Sequence, residues 1–193
     1  MISRTLRTAM FLLLTFGAAA CSTPPTRGGF PELTYNHLPV YSMDVASIEI
    51  EEVYRSPGTD PHVEHLYPVT PATAARRWAE DRLQAVGIDG TVRFIVLDAS
   101  SIEQSRVTPP AGYGTEPLDR YDMRIAVRID LLKAGGAARA FVTADVSLQQ
   151  YVDPSTSLNE RERIWFANVE ALMRSLNAEL DPRMAAAFGP YLR

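Results

Sequence analysis

The sequence has few of the residues on which several common functions depend. Its 193 residues include one cysteine, Cys21, and one lysine, Lys133. A single cysteine excludes a disulfide within the chain. The shortage of lysine and the formal net charge of −4 argue against nucleic acid or anionic lipid headgroups as the main partner, because both select clustered basic residues. With 46% apolar residues, the chain can form one domain with a substantial core.

The N-terminal apolar run, residues 10–16, is too short to span a bilayer. Arg4 and Arg7 precede this run, and small residues follow it as far as Ala20. Basic residues, a short apolar stretch and then small residues are typical of an export signal that is cleaved off. We therefore predict that residues 1–20 are a signal peptide. An apolar start of a cytosolic protein is the alternative.

The only cysteine follows this segment directly. The sequence Ala18-Ala-Ala-Cys21 resembles the lipobox of bacterial lipoproteins, in which the cysteine is acylated and becomes the first residue of the mature chain. The resemblance implies that Cys21 anchors the protein to a membrane, because several acyl chains bind far more tightly than one. By the sorting rule of that family, Ser22 favours the periplasmic face of the outer membrane. An ordinary signal peptide with an incidental cysteine is the alternative.

Residues 22–34 combine three prolines and two glycines with small polar residues. Such a composition is typical of a flexible tether, so we assign residues 21–34 to a lipidated tether and residues 35–193 to a single domain. Within that domain, alternation of apolar and polar residues predicts strands at 43–54 and 91–102. Thr70 and Pro71 suit the start of a helix, and Gly87 suits its end. The predicted apolar stripe of that helix comprises Ala72, Ala75, Ala79, Leu83 and Val86.

Residues 121–131 and 138–148 alternate so regularly that they predict a β-hairpin. An even-length loop centred between Ala134 and Gly135 would pair apolar residues with apolar ones and charged residues with opposite charges. The expected pairs are Ile125 with Ala144, Val127 with Val142, Arg124 with Asp145 and Asp130 with Arg139.

A long helix is predicted after this hairpin. Ser157 and Glu160 have the spacing of a capping box, apolar residues recur at helical spacing as far as Leu180, and Asp181-Pro182 predicts a separate short turn as far as Phe188. The expected order is β-α-β-β-β-α. Neither helix can bury its apolar stripe alone, so we predict an α+β two-layer sandwich with a four-stranded, mostly antiparallel sheet and two helices on one face. The first two strands, joined through a helix, would be parallel neighbours.

Two polar clusters are candidates for chemistry. His62, Glu64 and His65 are metal-ligand types and suggest a metal-dependent hydrolase, although the helical HExxH spacing is absent; surface histidines in a turn are the alternative. Asp98, with Ser100 or Ser101 and a histidine, would make a hydrolase triad, but no nucleophile elbow surrounds either serine. We therefore predict no enzymatic activity, no cofactor and no metal.

Four apolar residues are candidates for contact with a partner. Ile164 and Phe166 fall outside the main stripe of the last helix, Phe141 lies on the polar face of the hairpin, and Tyr113 lies between glycines in a loop. An exposed patch of this kind is typical of an interaction surface.

The lipobox, the tether and the order of elements together resemble small envelope lipoproteins that assist transport. Two such groups are the auxiliary lipoproteins of ABC-type transporters and the LptE-like lipoproteins. The resemblance implies a non-enzymatic accessory subunit of an envelope transport or assembly complex, which docks through its sheet edge, hairpin or loops. A module that holds a lipid or other apolar ligand between sheet and helices is the alternative.

Overall fold

The computed structural model describes residues 29–133 and 136–193. The predicted signal peptide, Cys21 and the tether as far as residue 28 lie outside the described residues. The fold is the predicted α+β two-layer sandwich, with both helices on one face of the main sheet. Its elements are β1 (Tyr41–Met43), β2 (Ser47–Glu52), α1 (Pro71–Arg82), β3 (Leu83–Ala85), β4 (Thr91–Asp98), β5 (Ser101–Val107), β6 (Leu118–Lys133), β7 (Ala137–Val152) and α2 (Leu158–Phe188).

Within the described residues, the main sheet has five strands that occupy four positions across its width. β4 and β5 lie end to end against the same edge of β6, β2 pairs in parallel with β4, and β7 pairs with the opposite edge of β6. The predicted second strand is therefore divided in two, with a register shift between Val96 and Asp98. The parallel pairing of the first two main-sheet strands confirms the prediction.

The first helix is shorter than predicted. Thr70 caps it as expected, since Thr70 Oγ1 accepts a hydrogen bond from the Thr73 amide at 3.1 Å. It ends at Arg82, whereas the prediction extended it to residue 86. Leu83 begins β3, which pairs in parallel with β1 in a second, two-stranded sheet. Pairing with a strand some 40 residues away overrides the helical spacing of the sequence, as tertiary context often does.

The predicted first strand is divided between these two sheets. β1 belongs to the small sheet and β2 to the large one, and Asp44 lies between them. The Asp44 amide donates to the Tyr191 carbonyl at 2.8 Å, and the Arg193 amide donates to the Ser42 carbonyl at 2.9 Å. The last residues of the chain thus cover the second edge of β1, which draws β1 away from the line of β2.

The last helix is longer than predicted. Ser157 Oγ accepts from the Glu160 amide at 3.4 Å, which confirms the serine half of the predicted capping box. The Glu160 carboxylate instead pairs with Arg163 at 3.0 Å. The helix then continues through Pro182 to Phe188 without the predicted break. Leu180, Met184 and Phe188 are fully buried at four-residue spacing, so the apolar stripe continues past the proline, and its burial offsets the hydrogen bond that proline cannot donate.

The hairpin has the predicted pairing of faces, but the predicted register is wrong by two residues. Ile125 pairs with Val146 and Val127 with Ala144, and a bulge interrupts the ladder at Leu131 and Leu132. Lys133 pairs with Ala137, so the connection has three residues rather than an even number. The bulge adds one residue to β7 and restores the matching of buried with buried residues.

The core lies between the sheet and the two helices. Trp78 of α1 packs on Phe94 of β4 with ring centroids 5.7 Å apart. Trp165 of α2 packs edge-on against Tyr121 of β6 at 5.9 Å. In the described part of the chain, no helix is long and apolar enough to span a membrane.

Candidate functional site

The weak metal-ligand candidates His62, Glu64 and His65 lie beside β5. Glu64 is buried, while His65 is exposed. The Tyr54 hydroxyl donates to Glu64 Oε1 at 2.6 Å, and the Ser101 amide donates to Glu64 Oε2 at 3.0 Å. His62 Nδ1 lies 3.8 Å from Glu64 Oε1. Within residues 29–133 and 136–193, no group of three or more histidine, cysteine or acidic side chains is placed to hold a metal ion.

Glu64 therefore links a short 3-10 helix, Glu64–Leu66, to the edge of the sheet. Burial alone would raise the pKa of Glu64, but hydrogen bonds from Ser56, Tyr54 and the backbone lower it below its ordinary value. The carboxylate thus stays charged with both oxygens hydrogen-bonded within the protein. This arrangement gives Glu64 a structural role.

The serines of the hydrolase triad, which the sequence argues against, also make structural contacts. Ser101 is fully buried, and its Oγ lies 2.6 Å from the Tyr67 hydroxyl. Asp98 accepts from the Ser100 amide at 3.0 Å and forms an ion pair with Arg124 at 3.2 Å. These contacts hold the turn between β4 and β5 together and do not bring a histidine to either hydroxyl.

Two of the predicted contact residues are exposed on the outer face of the sheet. Tyr113 is 57% exposed and Phe141 is 56% exposed. Tyr113 packs on Tyr151 at 5.0 Å, and the Arg128 guanidinium lies 4.5 Å from the centroid of the Phe141 ring. Tyr151 and Phe141 are ten residues apart in one strand, about 33 Å, so they mark opposite ends of β7 and do not form one patch.

The prediction that Phe166 is exposed is wrong. Only 8% of it is exposed, because Phe30 covers it at a ring distance of 5.3 Å. Ile164 is partly buried against the core. Leu33 also packs on the core, so part of the segment assigned to the tether from its composition lies against the domain. The packed body includes Phe30 and does not begin at Tyr35.

The edges of the main sheet differ in how they are protected. The chain before α1 covers β5, since the Val63 amide donates to the Ser101 carbonyl at 2.9 Å and the Glu103 amide donates to the Pro61 carbonyl at 2.8 Å. β2 is only six residues long, and three of these are glutamates. Short, charged edge strands resist pairing with other chains.

The edge formed by β7 has no covering strand among those described and few charges, but α2 packs against β7 more than against any other strand. β7 is 16 residues long, and its sequence AARAFVTADVSLQQYV contains two charged residues, Arg139 and Asp145, and no proline or lysine. Among the described strands, only β6 pairs with it. The Thr143 carbonyl accepts a side-chain hydrogen bond from Arg183 of α2. We call this side of β7, on which no described strand pairs, the free edge.

The alternative interpretation places an apolar ligand between the sheet and the helices, where aromatic side chains pack. The two tryptophan contacts described above, Trp78 with Phe94 and Trp165 with Tyr121, lie between the sheet and the helices. The sequence predicted contact through a sheet edge, but the free edge could not be identified before the order of the strands was known.

Comparisons with known proteins assign no family to the chain. No protein-family model and no curated protein matches it. Among solved structures, rare lipoprotein B from Shewanella oneidensis is 11% identical with a TM-score of 0.37, and the match covers 72% of this chain and 95% of that one. An uncharacterized lipoprotein B from Nitrosomonas europaea is 13% identical with a TM-score of 0.36, covering 79% and 91%. A minor lipoprotein from Acinetobacter baumannii is 13% identical with a TM-score of 0.34, covering 72% and 93%.

Proposed function

We propose that the protein is a lipid-anchored, non-enzymatic subunit of a cell-envelope transport or assembly complex, and that it binds its partner by strand addition along the free edge. The acyl chains on Cys21 would hold it to the periplasmic face of the outer membrane. The single observation that supports docking is the contrast between β7, with two charges in 16 residues, and β2, with three glutamates in six.

Strand addition suits this edge for a physical reason. Every second residue of an edge strand directs its backbone amide and carbonyl away from the sheet, and each hydrogen bond to an added strand contributes roughly 0.5–1.5 kcal/mol net. A strand beside β7 would also contact its exposed side chains on the outer face, which include Phe141 and Thr143. The partner is therefore expected to offer an extended segment with apolar side chains on the matching face.

Photocrosslinking in intact cells tests this proposal. A photoreactive residue in place of Thr143 or Ser147, both exposed in β7, should capture one specific envelope protein. The same residue in place of Glu51, exposed in β2, should not. Equal capture from both edges, or capture from β2 alone, would contradict docking at the free edge.

A substitution series provides a second measurement. Lysine is a residue by which natural edge strands prevent pairing, so Thr143→Lys with Ser147→Lys should reduce recovery of the partner. Glu51→Lys on the opposite edge is the matched control and should leave recovery unchanged. Unchanged recovery in the β7 variant, with the fold intact by circular dichroism, would contradict the proposal.

Membrane anchoring is tested separately at Cys21. The native protein should have the mass of a chain that begins at Cys21 and carries fatty acids, and it should sediment with outer membranes. Cys21→Ser should remain unprocessed or leave the membrane fraction. A Cys21→Ser protein that is still processed and still membrane-bound would show that this cysteine is not the anchor.

A further inference from the structure

We propose that the two exposed leucines Leu66 and Leu158 insert into the surface of the phospholipid bilayer, so that the domain stands with its β6–β7 hairpin turn away from the membrane. This inference rests on the acylation of Cys21 in the proposed function and adds the orientation of the domain. The surface concerned is the rim of a cleft of about 610 Å³, which we call the basal cleft.

The basal cleft opens between the N-terminal segment, the 3-10 helix and the start of α2. Its apolar lining comes from Phe30, Tyr67, Val69 and Trp165, with Leu66 and Leu158 among the lining residues. Leu66 is 53% exposed and Leu158 is 64% exposed. They belong to the 3-10 helix and to the first turn of α2, so ordered elements position both side chains.

The position of the anchor indicates which surface these leucines meet. Cys21 precedes Phe30 by nine residues, and a chain of that length spans at most about 32 Å. Phe30 itself lines the basal cleft. The acylated residue is therefore held close to this end of the domain, and the bilayer is the nearest apolar surface for Leu66 and Leu158.

The opposite end of the domain lies much farther from the anchor. α2 begins at Leu158 and runs for 31 residues, about 46 Å. At its far end, Arg193 forms an ion pair with Asp44 at 2.8 Å, and Lys133 of the hairpin donates to the Asp44 carbonyl at 2.7 Å. The end of β6 and the C-terminus thus meet at the end remote from the basal cleft.

Charge favours an apolar contact over an electrostatic one. Arg77, which lines the basal cleft, is paired with Glu32, and Glu162 also lines it. The acidic side chains would not attract anionic headgroups. Insertion of leucine side chains needs no net positive charge and is expected to be insensitive to salt.

The test uses the full mature protein, acylated and reconstituted into phosphatidylcholine vesicles that contain a spin-labelled quencher lipid. Because Cys21 is the only native cysteine and its thiol would be acylated, one introduced cysteine can carry a single fluorophore. The labelled variants are Leu66→Cys, Leu158→Cys and, as a control at the remote end, Ile88→Cys, which replaces a residue that is 96% exposed.

Labels at 66 and 158 should lose most of their emission in quencher vesicles, and the label at 88 should lose none. If acylated protein that floats with the vesicles is quenched equally at all three positions, the proposed orientation is wrong. That result would not contradict the proposed function. Protein that carries no acyl chain would overturn both. Since all three positions are exposed, the substitutions should not prevent folding, and circular dichroism of each labelled variant checks this.

Discussion

Replacing Arg82 with methionine is expected to destabilise the domain by about 3 kcal/mol. Arg82 is buried between α1, α2 and the N-terminal segment. Its Nε donates to the Pro39 carbonyl at 2.6 Å, and its guanidinium donates to Asn177 and, at 3.0 Å, to Asp181. The same side chain therefore holds the segment before β1 against both helices.

The magnitude follows from what each partner loses. Removing one member of a buried ion pair costs about 3–5 kcal/mol, because the other charge is left without compensation. The Asp181 side chain is 44% exposed, so water replaces part of the lost interaction. Asn177 still accepts from Trp78 Nε1 at 3.0 Å. Both facts place the expected cost at the lower end of the range, and methionine retains much of the apolar stem of arginine.

Urea unfolding followed by tryptophan fluorescence measures this effect, because both tryptophans are buried. The midpoint should fall with an unchanged slope, and Tm should fall by about 6–12 °C for a domain of this size. Arg76→Met is the matched control. Arg76 is on the same helix and pairs with Glu52 and Glu80, but its side chain is 46% exposed, so its loss should cost less than about 1 kcal/mol. Equal effects of the two substitutions would refute the reasoning.

Two further predictions concern the 3-10 helix and the start of β4. The pKa of Glu64 lies below its ordinary value of 4.5, so its contribution to stability is present above that pH and is lost as the pH falls through the folded pKa. The Glu64→Gln variant should therefore be less stable than the native protein at neutral pH and should lose less stability on acidification. If the free energies of unfolding of the two proteins change in parallel with pH, this prediction is contradicted. Gly90→Ala should destabilise the domain by about 2 kcal/mol or more, since Gly90 has φ +90° and an added Cβ would lie 2.5 Å from the Leu132 carbonyl. Gly112→Ala is the control, because Gly112 has φ +101° with open space around it. If thermal unfolding shows the same decrease in Tm for both variants, the contact with Leu132 is unimportant.

The features predicted correctly from the sequence are those that depend on neighbouring residues. Thr70 and Ser157 cap their helices through the third residue beyond each of them, and such contacts follow from local spacing alone. The end of α1 depends on β1, which is more than 40 residues earlier in the chain. Leu83 has the correct spacing for the helical stripe, and only the presence of a partner strand makes it extended.

The hairpin shows how a correct principle can lead to a wrong register. Matching of buried faces cannot distinguish two registers that differ by two residues, because side chains alternate between the faces with a period of two. A three-residue connection with one bulge matches the buried faces as well as an even loop without a bulge. The predicted ion pair between Arg124 and Asp145 nevertheless forms. Arg124 lies opposite Ser147, and its long side chain reaches Asp145, which is its diagonal neighbour in β7.

The roles of the candidate site residues could not be predicted from the sequence for a different reason. The sequence shows that His62, Glu64 and His65 are of metal-ligand types, but it does not show where their side chains point. In the structure, the Glu64 side chain points inward to the Ser101 amide, and His65 is exposed. Likewise, Phe166 lies off the main stripe of α2, but the apolar partner that covers it, Phe30, comes from a segment that composition assigned to the tether. Long-range contacts, which periodicity does not encode, decide both cases.

The two proposals together restrict the kind of partner. The free edge has 16 residues, about 53 Å of extended strand, whereas the anchor leaves at most about 32 Å of chain between Cys21 and Phe30. If the basal cleft rests on the bilayer, β7 begins at its remote hairpin end and runs toward the membrane. A partner confined to the lipid could contact only the last residues of β7, near Tyr151. A partner that pairs along the whole edge must extend about 50 Å into the aqueous space, so crosslinks from Thr143 favour a protein with an extended periplasmic segment.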